Sequence, residues 1–142
     1  MKLIILTGAS DKGKSQTLNL SFNALINFGY TRFQNHFRRL GELIQNDFLD
    51  IVERNNYRIG FATMGDYEVN IKHPEDTVQE LFNYLQHQQC DSIVLACNSN
   101  LNIALSFLQT LNPIMVHKQI DANATMQTLL NAIDAEIIFK LI

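Results

Sequence analysis

Two glycines, a lysine and a serine near the start of the chain have a spacing that suits phosphate binding. In the stretch "GASDKGKS", Gly8 is followed by four residues and then by Gly13, Lys14 and Ser15. Glycines let the backbone wrap closely around an anion, and the amides of residues 11–16 can point inward. Lys14 would neutralise the β and γ phosphates of a nucleotide, and the Ser15 hydroxyl would ligate Mg²⁺. The pattern therefore predicts a phosphate-binding loop.

This motif resembles that of the P-loop NTPase superfamily, and alternating strand-like and helical segments extend the resemblance over most of the chain. The segments "IGFATMGD" and "CDSIVLAC" are also similar to those of small bacterial P-loop proteins. The resemblance implies that the chain binds ATP, or another nucleoside triphosphate, together with Mg²⁺. The residues expected to contact the nucleotide here are Gly8, Asp11, Lys12, Gly13, Lys14, Ser15 and Gln16.

Asp11 is where this loop departs from the common pattern, because many P-loops carry a further glycine at that place. Aspartate tolerates left-handed backbone angles better than most residues, so the loop can still form. Either the charge of Asp11 weakens phosphate binding, or Asp11 and Lys12 point to solvent. If the charge matters, Asp11→Gly should bind nucleotide more tightly, which titration with ATP would measure.

The elements that must position this loop follow from apolar runs that alternate with amphipathic segments, a pattern typical of α/β proteins. Strands are predicted at Lys2–Leu6, Phe48–Val52, Tyr57–Met64, Ser92–Cys97, Pro113–His117 and 136–142. Helices are predicted after Ser15, after His73, around Ile103–Leu111 and after an N-cap at Asp121. We expect one nucleotide-binding domain over residues 1–142. It would be a three-layer α/β/α sandwich of the P-loop NTPase fold, with a mostly parallel sheet of about six strands.

The turn "ERNN" predicts a hairpin between the second and third of these strands. If Tyr57–Met64 runs parallel to the first strand, Phe48–Val52 runs antiparallel, as an edge strand. The segment 30–46 before the hairpin is irregular, with the spacing of Phe37, Leu40 and Ile44 indicating a short helix.

Three arginines lie in that irregular segment, at Arg32, Arg38 and Arg39. A guanidinium there could reach the γ-phosphate or an acidic substrate. Alternatively, Arg38 and Arg39 form the solvated face of the short helix.

Three further residues follow strands whose carboxyl ends should meet at the functional edge of the sheet. Asp66 is the candidate for a second Mg²⁺ ligand and, with Lys14, for a catalytic role; the alternative is a surface turn residue. Asn98 could contact the base or an acceptor, or it could instead cap the following helix. His117 could flank the base. The guanine-reading pattern N-K-x-D is absent after Asn98, so the sequence gives no support for guanine specificity.

Composition narrows the classes of function. Apolar residues are 46% and charged residues 18% of the chain, which is typical of a globular protein. A net charge of −3 argues against nucleic-acid binding. The spacing of Cys90 and Cys97 predicts buried free thiols rather than a metal site. No apolar run is long enough for a signal peptide or a membrane span, so we expect a cytoplasmic protein that does not enter a membrane.

Three functions remain open. The first is an ATP-binding protein with slow Mg²⁺-dependent hydrolysis, whose state a protein partner reads. The second is a kinase that transfers the γ-phosphate to a small molecule or nucleotide. The third is a nucleotide-binding module without turnover.

Overall fold

The computed structural model describes residues 1–10, 13–42 and 46–142, and it confirms the α/β class. Within those residues, seven strands form one mixed sheet that packs with four α-helices. The strands are β1 (Lys2–Gly8), β2 (Thr31–Arg32), β3 (Arg38–Leu40), β4 (Asp47–Arg54), β5 (Tyr57–Ala62), β6 (Ser92–Asn98) and β7 (Ile114–His117). The helices are α1 (Lys14–Asn27), α2 (Val78–His87), α3 (Asn102–Gln109) and α4 (Ala124–Leu141), and a 3₁₀ turn spans Pro74–Asp76. None of these helices has the length and apolarity needed to cross a membrane.

Strand β1 lies inside the sheet, in the order β2-β4-β5-β6-β1-β7, with β3 also paired to β4. Its pairings with β6 and β7 are both parallel, and they bring Gly8 opposite Asn98 and Thr7 opposite His117. The segment that follows β1 therefore starts beside the carboxyl ends of two neighbouring strands.

Two apolar cores lie on opposite faces of the sheet, because alternate residues of a strand point to opposite sides. In β1, Leu3 and Ile5 belong to the core that contains the apolar residues of α2 and α3. Ile4 and Leu6 belong to the core that contains those of α1 together with Ile138 of α4. Helices thus cover both faces, which explains why the strand at the centre is apolar from Leu3 to Leu6 without interruption.

Strand β4 is antiparallel to β5, as the hairpin predicted, but the expectation of an edge position is wrong. Both β2 and β3 pair antiparallel with β4 on its other side. The short helix expected around Phe37 and Leu40 is replaced by β3, in which Leu40 is buried while Phe37, just before it, stays 45% exposed. Ile44, the third residue of that prediction, lies outside the described residues.

The strand predicted for residues 136–142 is wrong, because α4 continues through Leu141. The run "EIIFKLI" suits a strand by composition, but packing of α4 against α1 decides the conformation. The expected cap at Asp121 is wrong as well. The side chain of Asn123 is the cap, and it accepts a hydrogen bond from the Met126 amide at 3.1 Å.

Both cysteines are buried free thiols, as predicted. Burial raises the pKa of Cys90 to about 11 and that of Cys97 to about 12. Neither thiol therefore ionises near neutral pH, which suits a packing role.

Candidate functional site

The phosphate-loop motif joins the end of β1 to the start of α1, the strand–loop–helix context that it requires. Gly13 is the N-cap of α1 and has a left-handed φ of 85°, which favours glycine. A Cβ atom on Gly13 would lie 2.5 Å from Oδ1 of Asn131, so close packing against α4 also requires glycine. The two other predicted contact residues of the loop, Asp11 and Lys12, lie outside the described residues.

Lys14 opens α1 and is 5% exposed. Its ammonium group donates hydrogen bonds to the carbonyls of Gly8, at 3.3 Å, and of Ala9. The positive charge is thereby held against the rim of the loop, where a phosphate would need it.

The Ser15 hydroxyl donates a hydrogen bond to Oδ1 of Asp47 at 2.5 Å. The Thr63 hydroxyl donates to the same oxygen at 2.9 Å, and it accepts from the amide of Phe48. Asp47 is 4% exposed. A buried carboxylate therefore lies directly at the hydroxyl that the motif assigns to Mg²⁺.

Burial raises the pKa of Asp47 above its usual range, because desolvation disfavours the charged form. The hydrogen bonds from Ser15 and Thr63 oppose this rise, whereas the negative charge of Asp66 adds to it. A cation next to Asp47 would relieve both unfavourable effects.

The sequence prediction missed Asp47, although a signal for it was present. Asp47 is the first residue of β4, which runs against β5. An antiparallel strand begins at the edge where its parallel neighbours end. The hairpin alone therefore predicts that a carboxylate at the start of the antiparallel strand lies at the functional edge of the sheet.

Asp66 lies near this cluster but contacts a different residue. Its Oδ1 accepts a hydrogen bond from the Asn98 side chain at 3.1 Å, and the same amide nitrogen donates to Ser10 of the loop at 2.9 Å. Asn98 is 3% exposed, and its Oδ1 has no hydrogen-bond partner among the described residues. The structure thus brings Asp66, Asn98 and the loop together and leaves a buried acceptor beside them.

Asn98 does not cap α3, which was the alternative expectation. The carboxylate of Glu68 accepts hydrogen bonds from the amides of Ile103 and Ala104 in the first turn of that helix. The side chain of Asn98 is turned to the loop instead.

His117 ends β7 and is exposed, at the level of Thr7 in the sheet. Its neighbour Lys118 is buried and forms an ion pair with Asp134 of α4 at 2.7 Å. Of these two residues, only His117 is accessible to a ligand.

Gln16 connects the start of α1 to α4. Its side-chain oxygen accepts a hydrogen bond from Asn131 at 2.9 Å, and Asn131 accepts one from Gln127 at 2.9 Å. Asn131 thus contacts both Gln16 and Gly13, and through it α4 packs against the end of the loop. The sequence prediction missed this residue, because a polar residue in an apolar helix is expected on the solvent side.

The three arginines of the segment after α1 have different surroundings. Arg38 forms an ion pair with Asp76, and Arg32 forms one with Asp50 at 3.2 Å. Arg39 is exposed and makes no ion pair with any residue that the structure describes.

Comparison of the chain with protein-family models, with curated proteins and with solved structures found no match. The chemistry of the site therefore follows from its own residues. A glycine-bounded loop and a lysine can hold an anion. A hydroxyl and a carboxylate in hydrogen-bond contact offer the oxygen ligands that Mg²⁺ prefers.

Proposed function

We propose that the chain binds a nucleoside triphosphate, ATP in the first instance, together with Mg²⁺, and that it hydrolyses the nucleotide slowly. The observation that carries the proposal is the hydrogen bond between the Ser15 hydroxyl and the buried Asp47 carboxylate. A buried carboxylate with a raised pKa is costly to the fold, and a metal–phosphate site explains why it stands at this hydroxyl.

Each residue of the site then has a role. Lys14 binds the β and γ phosphates. Ser15 and Asp47 hold Mg²⁺, with Asp66 as the second carboxylate near it. Bound Mg²⁺ would neutralise charge on the phosphate oxygens. Asn98 offers its unpartnered oxygen to a hydrogen-bond donor at the loop, such as a water molecule.

Slow turnover is proposed because of the arginines. An arginine on the transferring phosphoryl group accelerates such reactions by about 10³–10⁵-fold. Arg32 and Arg38 are instead paired with Asp50 and Asp76, and no hydrogen bond or ion pair of the described residues holds the exposed Arg39 at the loop.

We further propose that the fold is that of the P-loop NTPases. The support is the β1–loop–α1 unit and the parallel pairing of β1 with both of its neighbours. Ligands of such sheets bind at the carboxyl ends of the parallel strands, which is where the motif lies.

Thermal unfolding with ATP, GTP or ADP, each with and without Mg²⁺, tests nucleotide binding. We expect Mg·ATP to raise the Tm of the wild type and not that of Lys14→Ala. The matched control is Lys72→Ala, which removes an exposed lysine from the loop after β5 and should respond as the wild type does. A nucleotide response that survives in Lys14→Ala, or none in the wild type, would contradict the proposal.

A further inference from the structure

A trench of about 650 Å³ runs along one side of α1, starting from Ser15 and Gln16 at the end of the loop motif. Ser15 and Asp47 lie at one end of it, and Asn19 and Asn23 follow along the helix at i+4 spacing. Its walls come from Thr128 and Asn131 of α4 on one side and, on the other, from Arg32, Phe37, Arg39 and residues 46–48. We call this feature the α1 trench; its volume is in the range of small-molecule sites.

One guanidinium of the α1 trench has no carboxylate partner among the described residues. Arg32, Arg39 and the carboxylate of Asp47 line the trench; Arg32 is paired with Asp50, whereas Arg39 makes no ion pair with a described residue. Arg32 is held in place by its ion pair with Asp50 and by the ring of Phe37, 5.0 Å from its Cζ atom, yet its side chain stays 56% exposed. A positioned, accessible guanidinium binds phosphate or carboxylate in a fixed geometry.

Amide side chains supply the rest of the polar lining. Asn23 and Asn46 make no side-chain hydrogen bond to any described residue, so their donors and acceptors are available to a ligand. The amide nitrogen of Asn19 donates one hydrogen bond to the Ser15 carbonyl at 2.8 Å, and its oxygen accepts none from a described residue. An amide offers both donors and acceptors, which matches a hydroxyl group, itself a donor and an acceptor. The side chain of Phe37, which is 45% exposed, adds apolar surface to the wall.

We propose that the α1 trench binds a sugar phosphate, with the phosphate against Arg39 and Arg32 and the sugar hydroxyls on the amides of Asn19 and Asn23. The site adjoins the proposed nucleotide site, and the two share Ser15, Gln16 and Asp47. Binding there does not depend on the nucleotide proposal, because none of these contacts involves Lys14.

Ribose 5-phosphate is the probe, and ribose is its neutral counterpart. Titration followed by ¹⁵N amide NMR should give saturable shifts at Asn19, Asn23 and Arg39, and ribose should bind more weakly. The titration is repeated with Lys14→Ala, in which phosphate binding at the loop is removed. The same trench shifts in that variant separate this site from the loop, so this proposal and the nucleotide proposal can fail independently.

Two variants test the trench itself. Arg39→Gln should weaken binding of ribose 5-phosphate about tenfold, because a charge-assisted contact is lost. The matched control, Arg54→Gln, lies at the opposite end of β4 and should leave the affinity unchanged. Asn23→Trp, at an exposed position, should fill the trench and abolish the shifts.

The proposal is overturned if no saturable shifts occur, or if they are confined to the loop. Equal affinity for ribose and ribose 5-phosphate would also overturn it, because the arginines would then have no role. Unchanged binding in Arg39→Gln or in Asn23→Trp would have the same consequence.

Discussion

At the scale of single residues, Asp47 has opposite effects on the fold and on the site. Its burial is unfavourable for the ionised carboxylate, which is why its pKa is raised. The same burial fixes its oxygen against the Ser15 hydroxyl at 2.5 Å. A residue that costs stability where it could bind a metal is typical of functional sites.

Asp47→Asn separates the two effects. The asparagine oxygen can still accept from Ser15 and Thr63, but the buried negative charge is gone. We expect a higher Tm than the wild type without Mg²⁺, and loss of the extra stabilisation that Mg²⁺ gives with ATP. Asp66→Asn is the control carboxylate: because Asp66 is exposed, its removal should change the Mg²⁺-free Tm less.

The pH dependence of this difference has a definite sign. With the folded-state pKa of Asp47 raised, the cost of the charge is complete above that pKa and is relieved as the pH falls through it toward 3.8. The stability gain of Asp47→Asn over the wild type should therefore be largest near neutral pH and shrink in acid. A gain that stays constant from about pH 7 to about pH 4 would show that the charge is not its cause.

At the scale of elements, the segment after β5 reaches the loop by crossing the end of β6. The crossing is fixed by a hydrogen bond that the backbone amide of Asn98 donates to the backbone carbonyl of Gly65 at 2.8 Å. A Cβ atom on Gly65 would lie 2.4 Å from the carbonyl of Ala96, so only glycine fits there. This close approach brings Thr63 and Asp66 to the site.

Gly65→Ala should destabilise the chain by about 2 kcal/mol or more, because backbone of β6 cannot move aside. Gly60→Ala is the matched control. Its Cβ atom would meet side-chain atoms of Leu85 at 2.8 Å, and those can shift. Chemical denaturation measures both. A loss in Gly65→Ala no larger than that in Gly60→Ala would contradict the tight crossing.

Elements whose local pattern agreed with their surroundings could be predicted from the sequence. The run "KLIIL" lies in β1, and Leu18, Phe22 and Leu25 form the buried apolar face of α1. Predictions from the local pattern were wrong where tertiary packing determines the conformation of the segment. The run "EIIFKLI" forms part of a helix that packs against α1. The segment around Phe37 and Leu40 pairs with β4 as a strand instead of forming a helix.

The residues of the candidate site also divide into those that a local sequence pattern indicates and those that depend on tertiary packing. The loop residues could be proposed as a site from the sequence alone, because their spacing is a local property of the chain. Asp47 and Asn131 were not predicted, because they reach the loop only through strand direction and helix packing. Asp66 was placed near the loop by the sequence, but its hydrogen bond to Asn98 depends on the crossing at Gly65.

At the scale of the whole molecule, a buried ion pair joins the sheet to its last helix. Lys118 follows β7, and its Nζ atom lies 2.7 Å from Oδ2 of Asp134, with both side chains at most 1% exposed. Asp134 also accepts from the backbone and side chain of Gln119. The pair holds α4 where Asn131 can support the loop.

Asp134→Ala should lower the free energy of unfolding by about 3–5 kcal/mol, because Lys118 is left buried without its counter-charge. The double variant Lys118→Met, Asp134→Leu removes both charges and should be less destabilised than the single variant. Urea denaturation measures both. Equal losses would show that packing at Asp134, rather than the uncompensated charge, sets the cost.

The central position of β1 has a consequence for how the chain folds. Among the described residues, β1 pairs only with β6 and β7, which begin about ninety and more than one hundred residues later. Contacts so distant in sequence slow folding, and they leave an apolar strand uncovered while the chain is being made. The strand that leads into the glycine-bounded loop thus has both of its partners far along the chain, and it is where we expect aggregation to start when folding is delayed.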